Sequence, residues 1–164
     1  GHSERRSIHA ESDEQCRDKV RAAIRHGLTP MLCIGEGLEQ RQAGEHVQYT
    51  LEQLRGSLAD LNAGELEGLV VAYEPVWAIG TGEVAGPEDA QEMAHAIRAE
   101  LESLYGEDFA KATRVLYGGS VKSSNVANIL GGADVDGALV GGASLDAEEF
   151  AKITRFEQHL VTDQ

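Results

Sequence analysis

Apolar positions along the chain fall into two alternating kinds of run. Some are short and almost wholly apolar: Thr29-Pro-Met-Leu-Cys-Ile34, Leu69 to Tyr73, Arg114 to Tyr117 and Val135 to Val140. That length suits a strand, and the near-absence of polar alternation suits one covered on both faces. Between these runs, apolar residues recur every three or four positions. Cys16, Val20, Ala23 and Ile24 mark one stretch. Val47, Leu51, Leu54, Leu58 and Leu61 mark a second, and Ala90, Met93, Ala94, Ile97, Leu101 and Leu104 a third. This spacing predicts amphipathic helices. A short helix is predicted over Ser124 to Leu130. A last one is predicted over Leu145 to Leu160, with Phe150 and Ile153 on its inward face. Local signals agree: Ser12 and Gln15 have the form of a capping box, Gly27 is a C-terminal stop, and Pro87 suits a first helical turn.

One helix precedes the first strand, and strands then alternate with helices. That order predicts βα units and a parallel sheet. A doubly wound sheet and a (β/α)8 barrel both accommodate it. A barrel typically takes about 250 residues, and the chain has 164, so a barrel reading makes it an incomplete one. No Gly/Ser- or Pro-rich linker divides the sequence, and residues 1–164 are expected to form a single domain.

Composition narrows the function classes. The apolar fraction of 41% and charged fraction of 26% are ordinary for a globular protein. A net charge of −14 argues against a nucleic-acid or anionic-membrane surface. A small anionic substrate would have to be held by local groups working against that field. Cys16 and Cys33 make no disulfide framework, which points to a reducing compartment. No apolar run has transmembrane length and no signal-peptide pattern is present. The chain does not begin with Met, so it is expected to be processed or to be an excerpt of something longer.

Candidate chemistry gathers just after the strand ends, where α/β folds bind their ligands. Gly1-His-Ser-Glu-Arg-Arg6 packs an imidazole, a hydroxyl and three charges into six residues; it reads either as a catalytic His2 with charged support or as a solvated polar stretch. Glu74 directly follows Val70-Val-Ala-Tyr73. A carboxylate there suits a general base, although a surface or helix-capping glutamate has the same position. Pro75 to Gly82 reads as a lid with a stiff body and a pliable end, or as an ordinary βα loop, and Trp77 as hinge packing. Tyr117-Gly-Gly-Ser120 and Leu139-Val-Gly-Gly142 put paired glycines after two strands, each with a helix soon after. Such loops let backbone N–H groups approach a phosphate. The six histidines are scattered without zincin spacing, so no metal site is expected. No Walker or Gly-x-Gly-x-x-Gly fingerprint opens a helix, so no nucleotide cofactor is expected. Cys33 is expected to pack, Glu36 and Arg41 to pair, and His95 to lie at a surface or interface.

Taken together, GHSERR, CIGEGLEQR, AYEPVWAIGTG, LYGGSV and DGALVGGASL resemble the motifs of the triosephosphate isomerase family in order and spacing, from Gly1 to about Phe156. The pairing of AYEPVWAIGTG with GHSERR is highly specific. The resemblance implies a TIM barrel of which this chain holds roughly strands 5 to 8 with their helices, beginning at the loop after the fourth strand. It implies interconversion of glyceraldehyde 3-phosphate and dihydroxyacetone phosphate through an enediolate, in glycolysis and gluconeogenesis in the cytoplasm, without a cofactor. By the same resemblance Glu74 is the base and neutral His2 the electrophile. Ser3 holds the glutamate before closure, and Glu4 supports the site from behind. Pro75, Val76, Trp77, Ala78, Ile79, Gly80, Thr81 and Gly82 form the lid, which Tyr117 helps latch. Gly80, Ser120, Gly141 and Gly142 contact the phosphate. The parent protein is expected to be a homodimer. The family's first-strand asparagine and lysine have no counterpart here, and four strands would leave two open sheet edges. The chain is therefore expected to be part of a complete isomerase and inactive alone, an incomplete fragment or phosphate-binding module without its N-terminal part.

Overall fold

The computed structural model describes residues 1–79, 83 and 85–159. Its elements run α1 (Ser3–His9), α2 (Asp13–Arg25), β1 (Met31–Ile34), α3 (Leu38–Ala43), α4 (His46–Leu58), β2 (Val70–Tyr73), α5 (Pro87–Tyr105), α6 (Glu107–Ala112), β3 (Arg114–Tyr117), α7 (Val126–Ile129), β4 (Gly137–Ala138) and α8 (Ala147–Thr154). Single 3-10 turns lie at Val76–Ala78, Gly142–Leu145 and Phe156–His159.

The four described strands form one parallel sheet in the order β1-β2-β3-β4. Register aligns Leu32, Val71 and Val115 in one row and Ile34, Tyr73 and Tyr117 in another. Each of these six side chains is 2% exposed or less, and all belong to the core cluster with Val20 of α2, Leu54 and Leu58 of α4, and Met93, Ile97 and Leu101 of α5. This face carries the helices. Because side chains alternate along a strand, Val70 and Ala72 point to the opposite face, and the next position in that series is Glu74. The strand thus directs its terminal carboxylate away from the helix layer.

Most predicted elements are present with altered ends. Ser12 and Gln15 form a reciprocal capping box on α2, and Gly27 follows the helix in the left-handed region at φ 68°. Three helices were not expected: α1, α3 and α6 are six or seven residues long, too short to show a helical stripe. The strand predicted over Val135 to Val140 is only Gly137–Ala138. The last predicted helix is broken up: α8 covers Ala147–Thr154, with a 3-10 turn before it and another after it, and residues 160–164 lie outside the described set. Its Ile153 is buried, but Phe150 is 40% exposed, which corrects the expected inward face. No described helix is long and apolar enough to cross a membrane.

Candidate functional site

Glu74 is the best-anchored polar side chain at the carboxyl edge of the sheet. Its backbone N–H donates to the Ile34 carbonyl at 2.8 Å, which extends the β1–β2 ladder by one step. Its side chain is buried at 3% exposure. Three donors converge on it. The Ser3 N–H reaches Oε2 at 2.9 Å, the Ser3 hydroxyl reaches Oε1 at 3.2 Å, and His2 Nε2 lies 3.2 Å from Oε1. The two Ser3 contacts join residues 71 apart in sequence.

His2 is oriented by the start of α1. The Glu4 N–H donates to His2 Nδ1 at 3.3 Å. An Nδ1 that accepts leaves the ring proton on Nε2, the nitrogen that faces Glu74. The ring is half exposed while the carboxylate is not. This arrangement can present an N–H to a carbonyl oxygen and a carboxylate to a neighbouring C–H.

Glycines make room around this pair. A Cβ at Gly35 would stand 1.7 Å from the Glu74 carbonyl oxygen, and one at Gly119 would stand 2.2 Å from the Tyr117 hydroxyl. No other residue type fits at either position. Gly141 and Gly142 differ: a Cβ at either would meet nothing within 4 Å.

One cavity of about 1020 Å³ collects His2, Ser3, Glu4, Glu74, Ser120 and the Gly141–Gly142 pair, with Ile79 at its margin. Among the sequence-predicted residues, Pro75, Val76, Trp77, Ala78 and Tyr117 do not line it. Trp77 and Ala78 are buried in the core behind the site, and Tyr117 is 2% exposed. Gly80, Thr81 and Gly82 lie outside the described residues. Among the described residues, no cluster of three His, Cys, Asp or Glu is placed to hold a metal ion.

Sequence reasoning passed over Lys122, which lines the same cavity. Its signal was its place two residues after the Gly118-Gly119-Ser120 turn. Asp146 and Glu149 also reach this end, where Glu149 accepts from the Ser123 N–H at 2.7 Å and the Ser123 hydroxyl at 3.0 Å.

Behind the site lies a second carboxylate. Glu36 is fully buried; it accepts from the Tyr73 hydroxyl at 3.0 Å and the Thr50 hydroxyl at 3.4 Å, and Arg41 stands 4.0 Å away. Burial pushes the Glu36 carboxyl up from its ordinary range. Burial, together with the charge of Glu36, pushes the Tyr73 hydroxyl up strongly. Cys33 packs beneath Glu74, as expected of it. Burial first, then the charge of Glu74, pushes its thiol up to about 11. His95 is exposed and lies 3.1 Å from Asp134.

Fold and cavity together define a parallel α/β protein of the class that meets its ligands at the carboxyl ends of its strands. Sequence comparison refines this class. A model of the triosephosphate isomerase family matches residues 1–157. The chain is similar to the triosephosphate isomerases of Streptomyces coelicolor and Streptomyces avermitilis, each 60% identical over 156 residues, and to that of Rhodococcus jostii, 58% identical over 154. The chain belongs to the triosephosphate isomerase family. These alignments cover 94–95% of this chain, which spans about 60% of the length of those curated relatives.

Proposed function

We propose that this chain is the carboxyl-side portion of a TIM barrel, β1 to β4 being roughly its strands 5 to 8, and that the parent protein is a triosephosphate isomerase. The observation that carries the reading is the His2–Glu74 pair, 3.2 Å apart and opening on the cavity that Ser120, Gly141 and Gly142 line. The substrates are glyceraldehyde 3-phosphate and dihydroxyacetone phosphate, and the chemistry needs acid–base groups alone. Glu74 removes a proton from the carbon next to the carbonyl. His2 donates through Nε2–H to the carbonyl oxygen and stabilises the enediolate. In the present geometry Ser3 and His2 hold the Glu74 carboxylate, so substrate must replace those contacts before the proton is taken. Glu4 fixes the His2 ring through its backbone N–H.

The phosphate lies against the glycine loops. The opening N–H groups of the Gly142–Leu145 turn have no acceptor within that turn, and open space at Gly141 and Gly142 admits a ligand close to the backbone. Lys122 adds a cation that partly offsets the negative net charge. Pro75 to Gly82 acts as the lid and Tyr117 as part of its latch. The family's first-strand asparagine and lysine would complete the site from the other part of the barrel, and the parent protein is a cytoplasmic homodimer.

Glu74→Gln tests the reading. The variant keeps the shape and most hydrogen bonds of the side chain but cannot serve as a base. In the parent protein, turnover of glyceraldehyde 3-phosphate should fall about a thousand-fold, while affinity for a non-reacting phosphate ester should stay within about three-fold. Unchanged turnover would overturn the assignment.

A further inference from the structure

Arg41, on α3, joins parts of the molecule that the sequence keeps far apart. Its guanidinium lies 5.1 Å from the centroid of the Trp77 ring, inside the first turn after Glu74. It also pairs with Asp89, in the first turn of α5, and stands 3.5 Å from Glu92 one turn further on. Its fourth neighbour is the buried Glu36, which holds the Tyr73 hydroxyl, and Tyr73 directly precedes Glu74. The Arg41 side chain is 21% exposed and Glu36 is fully buried, so that contact is shielded from water and salt, whereas Glu92 is half exposed.

Asp89 has a second role. It accepts from the Gly86 N–H at 2.8 Å and so closes the start of α5. One planar cation therefore touches both ends of the connection that leaves β2 at Glu74 and enters α5 at Pro87. A guanidinium can lie on an aromatic face and donate sideways in the same plane. A lysine ammonium can satisfy only one such direction well.

We propose that Arg41 is a positioning residue that couples the two ends of the β2–α5 connection and, through Trp77 and the Glu36–Tyr73 pair, sets the place of Glu74. Its catalytic consequence rests on the isomerase reading above. Among the described residues, the neighbours of Arg41 lie outside the cavity, and Arg41 takes no part in proton transfer. Two of its neighbours, Trp77 and Glu36, bear on the segment that carries the base, and a small displacement of a base costs rate more than affinity.

Amide hydrogen exchange tests the coupling without any need for activity. The reporters are the Ala78 and Ile79 N–H groups at the first end, bonded to the Pro75 and Val76 carbonyls, and the Gly86 and Ala90 N–H groups at the second. Arg41→Met should raise exchange about ten-fold at both ends, with Val115 of the core unchanged. Arg41→Lys should restore the second end better than the first. Asp89→Asn keeps an acceptor for the Gly86 N–H and serves if Arg41→Met folds poorly. It should still raise exchange at Ala78 and Ile79 by about three-fold. Isomerase assays should show kcat lowered about ten-fold by Arg41→Met with KM within about three-fold. Exchange confined to the Gly86 end in Asp89→Asn, or unchanged at Ala78 and Ile79 in Arg41→Met, overturns the coupling. A loss of rate that only tracks the loss of folded protein overturns the positioning role. Failure of the parent protein, with its N-terminal part present, to turn over triose phosphate would count against the isomerase reading, while the exchange data would still decide the coupling.

Discussion

Glycines crowd the carboxyl ends of β2 and β4 alike, but those around β2 come from the ends of its neighbours β1 and β3, and the two groups face different surroundings. At β2, Gly35, Gly118 and Gly119 are pressed against Glu74, Tyr73 and Tyr117, with no space for a Cβ in two of the three cases. At β4, Gly141 and Gly142 face open space. The first group is demanded by packing. The second is not, since the fold leaves room there for a side chain. What Gly141 and Gly142 preserve is close access to the backbone, which a phosphate needs and a core does not. One end of the site is a fixed reactive group and the other is a reserved space.

Substitutions should separate the two ends. Gly35→Ala pushes a methyl group into the Glu74 backbone and should lower the unfolding free energy by about 3 kcal/mol or more, read from urea denaturation. A Gly35→Ala protein of near-normal stability would show that the β2 end is less tightly packed than described.

The Cys33 thiol gives the packed end a pH signature. In the folded protein it keeps its proton up to about 11, against an ordinary 9.0. Between those values the unfolded chain has lost a proton that the folded chain keeps, so stability falls as pH rises through that window. The loss amounts to roughly 3 kcal/mol. Denaturation curves at increasing pH should lose much of that slope in Cys33→Ala.

Gly142→Ala should behave oppositely to Gly35→Ala. Its stability should change by no more than about 0.5 kcal/mol, yet affinity for a phosphate ester measured by calorimetry should fall about ten-fold. Equal affinity would remove the argument for reserved space.

The smallest effect belongs to Ser3→Ala. It deletes one of the two hydrogen bonds Ser3 gives Glu74 and leaves the backbone donor at 2.9 Å. A loss of about 1 kcal/mol in stability is expected.

What could be read from the sequence follows the range of the interactions involved. β2 was legible because a short apolar run rich in valine, bounded by glycine and proline, suits a strand covered on both faces, and Glu74 was conspicuous because it ends that run. The long helices α2, α4 and α5 were legible from their spacing. The short helix α3, LEQRQA, buries no residue and shows no stripe, so its Arg41 looked like a pairing partner for Glu36 and nothing more. Phe150 was misplaced because helical spacing marks a face without saying whether another element lies against it. The convergence of His2 and Ser3 on Glu74 spans some seventy residues, and only the family resemblance suggested it. Gly35 acts through tertiary proximity that no local pattern encodes, whereas Lys122 had a local signal in its place just after the Gly118-Gly119-Ser120 turn.

Deuterium uptake from D2O by dihydroxyacetone phosphate, followed by proton NMR, tests Glu74 as the base most directly, with the protein as its source makes it and with its Glu74→Gln variant. Label is expected at the carbon next to the carbonyl, slowed about a thousand-fold in Glu74→Gln. Label appearing at the same rate in both proteins, or phosphate-ester binding without any label, would contradict that role.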